Sequence, residues 1–169
     1  FILSLYTQNF IVTILSLSLA GALLAFLRFN WEPAQIYLGD AGSMLIGMIL
    51  GSLTIMLDYN KFNDAGFVIA ILILAIPIFD IVYVIIIRLL KGKSPFLGSP
   101  DHFALRLKKK FALSASKTVS IIIEIQLVIC ALIFLIFFLD ALTAVLIAFG
   151  IILFFAIFGL WLSYVQMDT

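Results

Sequence analysis

Long apolar runs fix the environment of this chain before anything else about it can be argued. They fall near Phe10 to Leu27, Ser43 to Leu57, Ala65 to Leu90, Val119 to Leu139 and Ala141 to Leu162. A helix crosses the hydrocarbon core of a bilayer in roughly 20 residues, and none of these runs alternates polar and apolar residues as a half-buried strand would. The pattern predicts an all-α, polytopic helical bundle of about five transmembrane helices and disfavours a β-barrel. Of the 169 residues, 65% are hydrophobic and 11% charged, against roughly 45–50% and 25% in soluble domains. Too little polar surface is left to cover a globule in water, so a single transmembrane domain over 1–169 is expected. The second run is the shortest, and the third is long enough to tilt or to bend at Pro77.

Charge orients the bundle. The net charge of +1 gives no reason to expect nucleic acid as a partner. Eight of the ten basic residues cluster as Arg88, Lys91, Lys93, Arg106, Lys108, Lys109, Lys110 and Lys117, and the positive-inside rule puts this loop in the cytoplasm, as in a multi-pass protein of the inner (plasma) membrane. Threading outward from it places the loop Asp58 to Asp64 and the N-terminus outside, the segment Arg28 to Gly42 inside, Asp140 at a tight external turn, and Asp168 back inside. Two polar loops thus share one face. No basic region precedes a short apolar stretch after Phe1, so no signal peptide is expected. The single cysteine, Cys130, excludes an intramolecular disulfide and reads as a small apolar filler.

Three places could carry chemistry. In Leu38-Gly39-Asp40-Ala41-Gly42-Ser43 two glycines bracket an acid where the backbone must turn tightly or approach another group closely. Asp40 lies at the start of a helix, where a carboxylate either caps free N–H groups or holds Mg²⁺ against a phosphate; the pattern alone favours the cap. Asp80 lies eight residues before Arg88, roughly 12 Å along a helix, so Arg88 can snorkel to the headgroups while Asp80 stays at depth. An acid there is either functional or hydrogen-bonded to a neighbouring span. Glu124 and Gln126, near the cytoplasmic end of the fourth span, read as interhelical contacts, with water or Arg88 satisfying Glu124. In the basic loop, Ser99-Pro100-Asp101 has the form of an N-cap, an N1 proline and a first-turn acid. The short amphipathic helix that follows carries Phe103, Leu107 and Phe111 on one face and Arg106, Lys108 and Lys110 around the rest, fit to lie at the interface near anionic headgroups. His102 is expected in its first turn, where a lone histidine reads as a surface residue, with phosphate binding or proton donation as the functional alternative.

Three stretches, in this order, resemble the carboxy-terminal half of the polyprenyl-phosphate N-acetylhexosamine-1-phosphate transferases. They are Phe29-Asn30 through Pro33-Ala34 to Gly39-Asp40-Ala41-Gly42-Ser43, then Pro77-Ile78-Phe79-Asp80 with Arg88, then Pro95-Phe96 to Asp101-His102 and Arg106-Leu107. This is the membrane glycosyltransferase family 4 group, related to phospho-N-acetylmuramoyl-pentapeptide transferase. The resemblance implies transfer of a sugar 1-phosphate from a UDP-N-acetylhexosamine to a polyprenyl (undecaprenyl) phosphate at the cytoplasmic face, with release of UMP, an early step in cell-envelope glycan synthesis. It implies Mg²⁺ as cofactor, with Mn²⁺ an alternative, Asp40 as the metal-associated catalytic carboxylate and His102 as a catalytic residue. Asn30, Asp80 and Arg106 would contact substrate, and membrane lipid and further copies of the chain are compatible partners. The family loop reads His-x-His-His-Arg where this chain has His102-Phe103-Ala104-Leu105-Arg106. The family's paired aspartates and Asp-Gly-Leu-Asp-Gly loop are not among these residues, so the 169-residue chain alone is expected to be inactive. The competing readings are a non-catalytic membrane subunit and a small transporter built around Asp80 and Glu124.

Overall fold

The computed structural model describes every residue except 60–63, 97, 99 and 168–169. Among the described residues there are eight helices and no strand: α1 (Ile2–Tyr6), α2 (Phe10–Asn30), α3 (Gly39–Ile55), α4 (Gly66–Ile73), α5 (Ala75–Leu90), α6 (Phe103–Lys110), α7 (Ala115–Ile136) and α8 (Ala141–Ser163). Each of the five apolar runs is helical. Side chains fix the starts of the longest helices: Asn9 accepts from Val12 N at 3.1 Å, Ser114 from Lys117 N at 3.2 Å and Asp140 from Thr143 N at 3.0 Å. Each satisfies an N–H that a helix start leaves free, and the Ser114 cap starts α7 four residues before the expected Val119.

By length and apolarity α2, α7 and α8 can each span a bilayer, and α4 with α5 forms an apolar pair bent by 69°, the shape of a broken span or of a re-entrant loop. The bend falls at Leu74 and not at Pro77. A proline cannot donate to the carbonyl four residues back and its ring clashes with it, so the chain breaks one turn upstream and Pro77 sits harmlessly in the first turn of α5. Only 6%, 17% and 22% of the apolar windows of α2, α7 and α8 are buried inside the protein. Side chains such as Phe10, Ile55 and Phe138 stand exposed, which marks a membrane protein with lipid around it.

Lipid tails are as apolar as leucine, so close packing and polar contacts must hold these helices together. Val12, Leu53, Ile69, Ile136, Ala144 and Ile151 form the main core where α2, α3, α4, α7 and α8 meet. Along α8 the inward stripe is Ala144, Ala148, Ile151, Phe155, Gly159 and Leu162; small residues let neighbours approach closely. A β-carbon at Gly159 would lie 3.1 Å from Tyr83 and 3.3 Å from Phe79. Outside the core, two expectations are corrected. Cys130 is exposed rather than filling the interior, and Gln126 bonds within its own helix, to Cys130 Sγ at 3.6 Å, instead of across helices.

A second cluster, Tyr83, Ile87, Phe103, Leu107 and Leu162, fastens α6 to α5 and α8. The chain reverses after α5 through Gly92 at φ +66°, with Lys93 N donating to Arg88 O at 2.9 Å and Gly92 N to Leu89 O at 3.0 Å. This paired closure is the glycine C-cap, and it sends the loop back along α5. Arg88 is buried and its Nε donates to Ser94 O at 2.6 Å, so it braces this loop instead of snorkelling or meeting Glu124.

Arg106 points inward, contrary to its expected place on the outer face of α6. Fully buried, it donates to Asp101 Oδ1 at 2.6 Å and, through Nη1, to Leu162 O, Ser163 O and Val165 O, at the end of α8 where the helix runs out of its own N–H donors. Asp101 Oδ1 also accepts from Lys91 Nζ at 2.7 Å. Asp101 lies before α6, not in its first turn: the helix begins at Phe103 with His102 at the N-cap, and Ser99, the expected cap, lies outside the described residues, as do Asp168 and positions 60–63 of the expected external loop.

Two predictions follow from these contacts. Gly159→Val, which must displace Tyr83 or Phe79, is expected to cost about 1–3 kcal/mol as overpacking, whereas Gly51→Ala, inside α3 with nothing within 4 Å of the new carbon, should not lower the thermal unfolding midpoint in detergent and should raise it slightly, alanine being the better helix former. Burial works against the Asp101 carboxylate, but Lys91 and Arg106 outweigh it and hold its pKa below the usual value. Stability from this group is therefore complete above the unfolded-state value of about 3.9 and lost as pH falls through the lower folded value. Asp101→Asn should flatten that acid limb, leaving the part that belongs to Glu32 and Asp140, whose carboxyls are also held low by hydrogen bonds.

Candidate active site

The loop between α2 and α3 is shaped by its own backbone. Asn30 Nδ2 donates to Ile36 O at 2.8 Å and Gln35 N to Phe29 O at 2.8 Å, closing residues 30–36 into a compact turn. Asn30 is thus engaged in holding the loop. Gly39 then adopts φ +66°, a left-handed conformation that suits glycine, and a β-carbon at Gly42 would meet the Leu38 side chain at 2.8 Å. Both glycines do what the sequence requires of them: one turns the chain into α3 and the other lets Leu38 fold across its first turn.

Asp40 falls in that first turn, one residue past the helix start, and not at the cap. The N-cap is Leu38, without a side-chain cap bond. The Asp40 carboxylate is exposed and, among the described residues, accepts no hydrogen bond; only its backbone oxygen is used, by Ser43 Oγ at 2.9 Å. It lies beside the unpaired N–H groups of α3, at the positive end of the helix dipole.

Glu32 ties this loop to the basic one. Its Oε2 accepts from Ser116 N at 2.8 Å and from Ser116 Oγ at 2.9 Å, and the Ser116 N–H bond chiefly holds its carboxyl below the usual range. The acid that the sequence leaves without a role therefore bridges α2–α3 to the start of α7, and puts the Asp40 loop and residues 91–117 at the same end of the bundle.

Asp80 and His102 meet directly. Asp80 Oδ2 lies 2.7 Å from His102 Nδ1, and Asp80 Oδ1 accepts from Phe103 N at 3.1 Å. A carboxylate from α5 thus caps the first turn of α6, while Phe79 stacks on Phe155 at 4.6 Å and meets Phe103 edge-on at 5.3 Å. Sequence reading treats the two residues separately; the signal for their pairing is the Lys91-Gly92-Lys93 reversal, which returns the loop to the level of Asp80. Among the described residues no polar contact joins Asp40 to this pair, and no three His, Cys, Asp or Glu side chains converge. Glu124 lies apart, in a groove between α7 and α8.

Along α5 and α8 runs an open, almost wholly apolar groove of about 370 Å³, lined by Ile78, Val82, Tyr83, Ile86, Phe155 and Gly159 among others. It passes beside the helix turn that bears Asp80. Its size and lining suit a hydrocarbon chain.

The family model described as "Glycosyl transferase family 4" matches residues 1–58. The chain is 34% identical over 132 residues to a phospho-N-acetylmuramoyl-pentapeptide-transferase of Clostridium beijerinckii, covering 76% of this chain and 37% of that one. It is 40% identical over 115 residues to a Bacillus subtilis protein named "Probable undecaprenyl-phosphate N-acetylglucosaminyl 1-phosphate transferase" (66% and 31%). Against a decaprenyl-phosphate N-acetylglucosaminephosphotransferase of Mycolicibacterium smegmatis it is 33% identical over 103 residues (54% and 25%). The chain spans less than two-fifths of the length of these curated relatives. No solved structure matches it. Residues 1–58, which include the Gly-Asp-Ala-Gly-Ser turn on α3, carry the match to glycosyltransferase family 4, and the basic loop stands at the same end of the helical membrane bundle.

Proposed function

We propose that this chain is part of an enzyme that transfers N-acetylhexosamine 1-phosphate from a UDP-sugar to a polyprenyl phosphate on the cytoplasmic side of the plasma membrane. In that reaction an oxygen of the lipid phosphate attacks the sugar-bearing phosphorus, the bond from that phosphorus to the bridging oxygen breaks, and UMP leaves. The observation that carries the proposal is the Glu32–Ser116 tie, which sets an unbonded carboxylate and a cation-rich loop at one end of the bundle. Phosphoryl transfer asks for that pairing of groups. The apolar groove of α5 and α8 supports the lipid half of the reading, as the place where isoprene units would lie.

Asp40 fits the part of metal ligand. Mg²⁺ is usually held by one or two carboxylates together with substrate phosphates and water, so one exposed, unbonded acid is a sufficient protein contribution. The ion, Mg²⁺ or Mn²⁺, would supply charge neutralisation on the phosphates when bound. Lys108, Lys109 and Lys117 add positive charge near the loop, and His102 offers a ring nitrogen to a phosphate or sugar oxygen. Arg106, which the resemblance assigns to substrate, is committed to Asp101 and to the end of α8; its part in the reaction is to keep His102 in place.

The relatives' greater length supports a further part of the proposal: groups needed for the reaction lie outside these 169 residues. The purified 169-residue chain, given UDP-N-acetylglucosamine, undecaprenyl phosphate and Mg²⁺, is expected to release no UMP, and release would overturn this part. In the native membrane enzyme, Asp40→Asn should lower kcat by about 100-fold or more, the scale of one lost electrostatic contact to a transition state. Undiminished transfer would remove Asp40 from the site.

A further inference from the structure

We propose that Asp80 is the positioning residue of His102, fixing its ring so that Nδ1 carries a hydrogen and Nε2 faces the reacting groups. The proposal rests on the transferase reading above and adds a role to an acid at membrane depth. Both carboxylate oxygens have a defined partner: Oδ2 lies 2.7 Å from Nδ1, and Oδ1 takes the Phe103 N–H at 3.1 Å. A carboxylate is an acceptor only, so the imidazole must present an N–H to it, and the tautomer follows from that bond. Because Nδ1 and Nε2 lie on opposite edges of the ring, Nε2 is turned away from Asp80. The His102 side chain is half exposed, while that of Asp80 is 24% exposed.

Two further contacts stiffen the arrangement. Phe79, the neighbour of Asp80, packs on Phe103, the neighbour of His102. On the other flank, Asp101 is held by Lys91 and Arg106. The backbone on both sides of His102 is therefore fixed, and the orientation of the imidazole is left to Asp80 alone. A bond that served only to pack α5 against α6 would need the Phe103 N–H contact and would be indifferent to the second one.

The chain's single histidine makes the test direct. With ¹⁵N-histidine incorporated, the nitrogens of the neutral imidazole report the tautomer. Wild type should show hydrogen on Nδ1. In Asp80→Asn the side-chain oxygen can still cap α6, while its amide turns an N–H toward Nδ1 and should drive the hydrogen to Nε2; Asp80→Ala, which leaves the ring to water, should lose the Nδ1 preference. Hydrogen on Nε2 in wild type, or an unchanged tautomer in Asp80→Asn, overturns the proposal.

Kinetics of the native membrane enzyme supply the second arm. Asp80→Asn should lower kcat by about 10- to 100-fold, as loss of a histidine's orienting partner does elsewhere, and should have no further effect in a His102→Ala background. Additive losses would mean that Asp80 does not act through His102, and would overturn the positioning role. If wild type transfers no sugar phosphate, the transferase reading fails and the role in the reaction with it; the ¹⁵N result would then still decide whether Asp80 sets the tautomer.

Discussion

A guanidinium with no exposed surface, inside a membrane protein, must find acceptors for its hydrogens from the protein itself. Arg106 finds them in Asp101 and in three carbonyls at the end of α8. Helix α6, the reversal after α5 and the C-terminal end of α8 are joined through this one side chain. Removing it would leave the buried Asp101 carboxylate to Lys91 and take a donor from the α8 carbonyls, and breaking a buried pair costs about 3–5 kcal/mol. The same bond network sets the backbone immediately before His102, so the stability of the bundle's polar end and the geometry of the candidate site are one problem.

Much of this was legible in the sequence, because the strongest signals are also the ones the bilayer enforces. All five apolar runs are helical, the third as the pair α4 and α5, since backbone groups in lipid must be satisfied internally. Gly39 and Gly42 announced a tight turn and a close approach, and both are present. The break in the third run was foreseeable as a proline effect, but it fell at Leu74 because the clash lies one turn before Pro77. Asp140, between two apolar runs, reads as a tight turn, and there it caps α8.

Side-chain partners were less legible, for a definite reason. Hydrophobic periodicity says which face of α6 is apolar, and it counts an arginine as outward. It has no term for the carbonyl oxygens at the end of α8 that turn Arg106 inward. In the same way Ser99-Pro100-Asp101 carries a local capping pattern, yet the cap of α6 comes from Asp80, 23 residues before Phe103. Glu32 reads as an ordinary loop acid until its partner at Ser116, 84 residues away, is known. Apolar all round, α8 conceals its packing stripe because lipid and protein neighbours ask for the same kind of residue.

The distribution of carboxylates carries the argument about the site one step further. At the polar end of the bundle Glu32 is taken by Ser116, and Asp101 by Lys91 and Arg106. Deeper in, Asp80 is taken by His102 and the α6 backbone. At the opposite end of α7, Asp140 is taken by the first turn of α8. Each of these charges is already stabilised by the fold, and a metal or phosphate would have to displace a protein partner to use it. Asp40 is different: among the described residues it keeps both oxygens unbonded, exposed at the positive end of the α3 dipole. Two arrangements of acid therefore coexist at this end, three carboxylates that build the scaffold and one that the scaffold presents. The transporter reading fares worse under the same reasoning, since Asp80 is paired and Glu124 lies apart from it between α7 and α8, so the two acids do not line a common path.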